Sequence, residues 1–102
     1  MKIELSQSFM NAVKRLSGKS LDSIREMYEN VAKAESVGGI ANCKKLINFK
    51  HTYRIRIGDL RAFFILYLVA DGNIVHFEYL KHRGEAYKKG MLERLRDKDR
   101  QK

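Results

Sequence analysis

One cysteine, Cys43, stands in a chain that has no proline and few acidic side chains. A single thiol excludes an internal disulfide framework and any multi-cysteine zinc site, and a reducing cytosol is the simplest compartment for it. Only Lys44 and Lys45 beside it would favour a nucleophilic role, so Cys43 reads as a passive loop thiol. No apolar run approaches the roughly 20 residues of a membrane span. The start, Met1-Lys2-Ile3-Glu4-Leu5, is too short and too charged for a signal peptide, so a soluble cytoplasmic protein without a membrane partner is expected. No His/Cys/Asp/Glu cluster has metal-ligand spacing and no glycine-rich phosphate loop occurs, so neither a metal nor an organic cofactor is expected.

What the chain has instead is positive charge in an ordered place. Lys plus Arg number 21 against 12 for Asp plus Glu, a net charge of +9. Residues 1–47 carry eight basic and five acidic side chains, whereas residues 48–102 carry thirteen and seven. Residues 53–61 read YRIRIGDLR. In a strand successive side chains point to opposite faces, so Tyr53, Ile55 and Ile57 enter a core while Arg54 and Arg56 project together on the other side. A tight Gly58-Asp59 turn then presents Arg61, and a second cluster, Lys81-His82-Arg83 with Tyr87 behind it, follows the last predicted strand. Such groups suit a polyanion better than a small neutral ligand, and attraction to phosphate backbones should weaken as salt rises.

The hydrophobic period divides the rest. At 102 residues the chain is sized for one modest core. Residues 2–5 predict a short strand that needs partners from later in the chain. Phe9, Val13 and Leu16, then Leu21, Ile24, Tyr28 and Val31, recur at helical spacing, with Ser17-Gly18-Lys19 between the runs and Ser20 as the expected N-cap. Gly38-Gly39 ends this helical hairpin, and a loop is expected through about Asn48. Residues 60–69 are nearly all apolar, as for a central strand buried on both faces. Asp71-Gly72 marks a hairpin, after which Val75, Phe77 and Tyr79 alternate with His76 and Glu78. From Gly84 to about Arg96, Tyr87, Met91 and Leu95 share a helical stripe. The predicted architecture is α+β: an N-terminal strand and helical hairpin packed on an antiparallel β-meander, with a C-terminal helix. Residues 1–97 form the expected single domain and 98–102 a frayed basic tail.

This order, with YRIRIGDLR and the later LKHRGEAY (residues 80–87), resembles the RelE/ParE superfamily of toxins from toxin–antitoxin systems. The resemblance covers nearly the whole chain and implies a RelE-like fold with two activities. One branch cuts messenger RNA, usually on the ribosome; the other poisons DNA gyrase; each is silenced by an antitoxin. An acidic, partly disordered antitoxin lying across the basic face or displacing the last helix, together with mRNA and the ribosome, are the partners it implies.

Metal-free RNA cleavage uses the ribose 2′-hydroxyl as nucleophile, so a protein must help deprotonate it, neutralise the phosphorane and assist the departing 5′-oxygen. Arginine binds phosphate bidentately but is no ordinary base, which assigns Arg61 and Arg83 to charge stabilisation. Arg54 and Arg56 stand where RelE relatives carry two basic strand residues, and with Lys50 and His51 they would hold the backbone. The resemblance assigns Tyr87 to stacking on a base or orienting the phosphate. His82 is the expected general acid or base, with His51 as rival and Lys81 as a further proton donor or phosphate ligand. The bland readings are a solvated strand face for Arg54 and Arg56, a solvated turn for His82 and Arg83, packing for Tyr87, and a structural pair with Asp59 or Glu78 for Arg61. His76 reads as a satisfied histidine of the strand. Three functions follow: an mRNA endonuclease, a gyrase poison without chemistry of its own, or a noncatalytic basic module.

Overall fold

A computed structural model describes residues 1–101, and Lys102, the last residue of the expected tail, lies outside them. The chain runs β1 (Lys2–Leu5), α1 (Gln7–Lys14), α2 (Gly18–Lys33), a short 3-10 turn (Val37–Gly39), β2 (Cys43–Lys45), β3 (Thr52–Ile57), β4 (Leu60–Tyr67), β5 (Ile74–His82) and α3 (Lys89–Gln101). The five strands form one sheet in the order β1-β5-β4-β3-β2. The N-terminal strand finds its partner in β5, to which it runs parallel, while β2 to β5 pair antiparallel. The α+β architecture expected from the sequence, with its N-terminal strand, helical hairpin, β-meander and C-terminal helix, is the one present.

One face of the sheet packs on the helical hairpin. Phe9, Ile24, Met27 and Val31 meet Ile55, Ala62, Phe64, Val75, Phe77 and Leu80 in the larger core. The other face is closed over part of its length by α3, whose Met91 and Leu95 bury Leu46, Phe49, Phe63 and Ile65. β4 is therefore apolar on both sides, and Ala62, Phe63, Phe64 and Ile65 are all fully buried.

The alternation expected along β5 is interrupted. Phe63 pairs with Tyr79 but the next residue, Phe64, pairs with Phe77, so Glu78 is an extra residue, a β-bulge. Val75, Phe77 and Leu80 face the hairpin, whereas Tyr79 joins the core under α3. The Ser6 hydroxyl donates to the bulge carbonyl of Glu78 at 2.7 Å and accepts from the Phe9 amide at 3.0 Å, so it caps α1 and satisfies the bulge together.

Other boundaries differ for local reasons. β2 lies where a loop was expected, a three-residue edge strand too short to show a period. The second helix starts at Gly18, at φ +58°, without a side-chain cap from Ser17, and Ser20 lies within its first turn instead of capping it. β4 ends at Tyr67, and Leu68 and Val69 are exposed in the connection to β5. The last helix starts at Lys89, not Gly84, so Tyr87 sits in a turn with φ +66° and not on the stripe of Met91 and Leu95.

The tail expected to fray is helical through Gln101 because Asp99 ties it to the sheet. Asp99 accepts from the Lys50 amide at 2.9 Å, the His51 amide at 2.6 Å and the Thr52 hydroxyl at 2.9 Å. Burial pushes its carboxyl up, but these three donors and the neighbouring His51 more than offset that and hold it below the ordinary aspartate value. A carboxyl depressed in the folded state stabilises above its unfolded value and loses that contribution as pH falls through the folded one. Asp99→Ala is therefore expected to lower unfolding free energy by about 2–4 kcal/mol at neutral pH. Urea denaturation at pH 7 and again in acid, below the ordinary aspartate range, checks this. The gap between native chain and variant should narrow in acid, and an unchanged gap would show that the carboxylate charge is not its source.

Candidate nucleic-acid interface

Strand register assembles the basic residues into a row. Arg56 lies opposite Arg61 across β3 and β4, and Arg61 lies opposite Lys81 across β4 and β5. Directly paired side chains on neighbouring strands have Cβ atoms about 5 Å apart, and like charges so placed repel. Among the described residues no carboxylate forms a salt bridge with Arg54, Arg56, Arg61 or Lys81. Arg61 pairs with neither Asp59 nor Glu78; its guanidinium donates to the carbonyls of Gly58 at 2.7 Å and Leu60 at 2.9 Å. Lys81 rests its ammonium 5.7 Å from the centre of the Tyr79 ring. Three cations with no acid between them form an anion-seeking edge to the face that α3 leaves uncovered.

Beside this row lies a groove of about 350 Å³ between β2, β3 and α3, lined among others by Lys44, Arg54, Phe49, Tyr87, Leu92 and Arg96. Lys44 stands opposite Arg54 in the β2–β3 register. Arg54 donates to the Asn42 carbonyl at 3.0 Å, and Arg96 lies 4.6 Å over the Phe49 ring. Tyr87 rests edge-on against Phe63 at 5.4 Å and is 44 % exposed. A left-handed backbone is uncommon for tyrosine, and here it lifts the ring off the helix and presents it at the groove. Cations flanking an exposed aromatic ring suit a single-stranded polynucleotide, whose phosphates pair with the cations while a base stacks on the ring.

The expected site residues are only partly gathered. Arg54, Arg56, Arg61, Lys81 and Tyr87 share this region. The Arg83 amide donates to the Asp59 carbonyl at 2.7 Å, which pins Arg83 at the β3–β4 turn beside the row. His82 pairs with the buried Leu60 and lines a cleft with Ala12, Arg15 and Leu16, on the hairpin side of the sheet. It is thus not brought to the row, because the bulge at Glu78 turns Lys81, not His82, toward Arg61. Lys50 and His51 lie beyond the other end of β3; five strand positions separate His51 from Arg56, about 17 Å. His76 is held between Glu4 at 2.9 Å and Glu78 at 3.1 Å, the satisfied strand histidine that was expected. Lys44 and Arg96 are additions: the first was hidden because β2 is so short, while the second was readable as the position one turn after Leu92 on α3. Guanidinium and ammonium groups gathered in this way are the charge complement of a phosphate group.

No family model and no curated protein matches the chain. Solved structures do. A RelB–RelE antitoxin–toxin complex from Methanococcus jannaschii superposes with a TM-score of 0.65 at 23% identity, covering 82% of this chain and 94% of that one. The fold is RelE-like. A RelE–RelB complex from Pyrococcus horikoshii gives 0.63 at 20% identity, covering 83% and 97%, and a YoeB dimer from Staphylococcus aureus gives 0.62 at 21%, covering 80% and 95%. In this RelE-like fold no helix among the described residues is long and apolar enough to cross a membrane.

Cys43 lies on β2 and packs against the hairpin core, not in a loop. Burial pushes its thiol from 9.0 up to about 11, with Arg54 opposing the shift. Such a thiol is nearly all protonated at neutral pH, as the passive reading requires. Alkylation by iodoacetamide at pH 7 should run about a hundredfold slower than for an unperturbed cysteine peptide, and still slower in Arg54→Ala. Labelling followed by mass spectrometry checks this, and a rate equal to the peptide's would return Cys43 to the list of nucleophiles.

Proposed function

We propose that the chain is a cytoplasmic toxin of the RelE type that binds messenger RNA on its cationic face and cuts it, on the ribosome, by attack of a 2′-hydroxyl on the adjacent phosphate. The observation that carries this reading is the Arg56–Arg61–Lys81 row at the edge of an exposed face, with no carboxylate in salt-bridge contact among the described residues. In the proposed step the 2′-hydroxyl gives its proton to a solvent water as its oxygen bonds to phosphorus, the P–O5′ bond breaks, and the 5′-oxygen leaves with a proton that its acid later regains from solvent, giving a 2′,3′-cyclic phosphate and a 5′-hydroxyl. Arg61 and Arg83 stabilise the phosphorane, Lys81 protonates the leaving oxygen, Tyr87 stacks on a base, and Arg54 and Arg56 hold the backbone. A specific acidic antitoxin silences the toxin by covering these cations; the archaeal neighbours were solved with RelB bound.

The position of His82 favours a second reading. No histidine faces the row, which suits a gyrase-binding toxin that needs no proton transfer. The two readings separate on induction in a bacterial host with mapping of new RNA 5′ ends. Under the nuclease reading Arg61→Ala slows cleavage about a hundredfold, as for loss of one oxyanion donor, while His82→Ala, on the opposite face, stays within about threefold of the native chain. New ends in translated codons that vanish in Arg61→Ala support the nuclease. Growth arrest with intact transcripts and a DNA damage response moves the chain to the gyrase-binding branch.

A further inference from the structure

The proposed cutting row lies at one end of the sheet, yet a second basic cluster sits at the other. Residues Asn48, Lys50, His51, Arg96, Asp99 and Arg100 surround a pocket of about 360 Å³ where the start of β3 meets the end of α3. Asp99 is the acid there, and it is already engaged: both its oxygens accept hydrogen bonds from Lys50, His51 and Thr52 and it is 7% exposed. Lys50 and Arg100 are exposed, with no carboxylate in salt-bridge contact among the described residues. We propose that this pocket is a second anion subsite that holds a backbone phosphate of a single-stranded RNA whose chain also crosses the Arg56–Arg61–Lys81 row.

The geometry that joins the two ends is the position of Arg96. Its side chain lines both this pocket and the groove that contains Arg54 and Tyr87, and it is fixed there by the Phe49 ring and by a hydrogen bond to the Asn48 carbonyl at 3.4 Å. Arg96 and Arg100 are one helical turn apart and so project from the same side of α3. Cations thus run from the row through Arg54 and Arg96 to Lys50 and Arg100. From Arg56 to Lys50 that path covers six residues, about 20 Å when extended, a length that takes several nucleotides of a single strand rather than one. A polynucleotide is favoured over an acidic peptide because the path alternates cations with the exposed face of Tyr87, a surface on which a base stacks. The inference rests on the RNA-binding part of the function proposed above and adds a length requirement to it.

The test uses fluorescein-labelled 2′-O-methyl oligouridylates, a trinucleotide and a hexanucleotide, which lack the 2′-hydroxyl and so are not cut. Anisotropy measures their binding to the full chain and to Lys50→Ala/Arg100→Ala, in which the backbone amides that bind Asp99 remain. The hexanucleotide should bind the native chain about tenfold more tightly than the trinucleotide, and the double variant should lose that advantage while binding the trinucleotide as before. The salt dependence of hexanucleotide binding should fall by about 0.7 in log–log slope for each phosphate that the variant no longer neutralises. Lys50→Arg/Arg100→Lys should keep the advantage and controls for damage to the fold.

Equal affinity for the two lengths, an advantage that survives the double alanine variant, or no binding of either oligonucleotide overturns the subsite. A polyglutamate peptide that binds as tightly and is weakened by the same substitutions also overturns it, by making the surface one for an acidic protein. The readout needs no cleavage. A chain that leaves transcripts intact in cells yet shows the length effect loses the nuclease reading and keeps the subsite, whereas one that cuts transcripts and binds both lengths alike keeps the former and loses the latter.

Discussion

The bulge at Glu78 decides what the two faces of this sheet present. Strict alternation through β5 would put Tyr79 and Lys81 into the hairpin core beside Phe77, and would turn His82 toward Arg61. One extra residue reverses the phase, so that Leu80 fills the core and Lys81 completes the cationic row. Such a reversal leaves an unpaired backbone group and a side chain with no place in the period, and both are satisfied here. Ser6 binds the carbonyl from the start of α1. The buried Glu78 carboxylate meets His76 at 3.1 Å and the Lys98 ammonium at 3.3 Å. The bulge is thus gripped from the first strand–helix junction on one side and from the last helix on the other.

That grip divides the charges of the α3 face. Three of its acids, Glu4, Glu78 and Asp99, gather toward β1 and the end of α3, and each is matched by His76, Lys98 or donors at the start of β3, while Glu85, near Lys81, is paired with Lys88. Among the described residues no carboxylate forms a salt bridge with Arg56, Arg61 or Lys81. Burying a carboxylate is costly unless it is hydrogen-bonded, so the matched acids are held in place and do not reach the row to neutralise it. Repulsion among Arg56, Arg61 and Lys81 then persists in the free protein, and an incoming anion relieves it. A destabilising local arrangement tolerated by an otherwise well-satisfied sheet is what a binding surface requires.

Much of this was legible from residue order. The alternation of Tyr53, Ile55 and Ile57 against Arg54 and Arg56 fixed the faces of β3, and the Gly58-Asp59 turn with its left-handed glycine fixed the register that sets Arg56 opposite Arg61. The doubly buried β4 and the need of β1 for a later partner were equally readable, because each depends on a period carried by several residues. What was not legible depended on one residue or on distant ones. The bulge changes a phase without changing composition, so His82 and Lys81 exchanged faces relative to the reading from alternation. β2 is too short to carry a period. The helical end of α3 follows from a carboxylate whose three donors lie 47 to 49 residues earlier in the chain. Tyr87 fitted the helical stripe of Met91 and Leu95 in sequence, yet its backbone is left-handed, and only the packing against Phe63 shows why.

The last helix then has two tasks that a single placement meets. Met91 and Leu95 close the smaller core, which fixes where the helix lies on the sheet; Asp99 fixes where it ends. With those two constraints set, Arg96 has to emerge over Phe49 between the groove and the far pocket, and Tyr87, just before the first turn, has to emerge at the near end. The uncovered part of the basic face is therefore a consequence of how α3 is anchored. An element attached through a small core, Asp99 and the Lys98–Glu78 ion pair rests on fewer buried apolar residues than the hairpin on the other side, whose core is more than twice as populated. Stability on one face and access on the other are set by different residues, so the cationic surface can be opened or covered without disturbing the core that holds the sheet together.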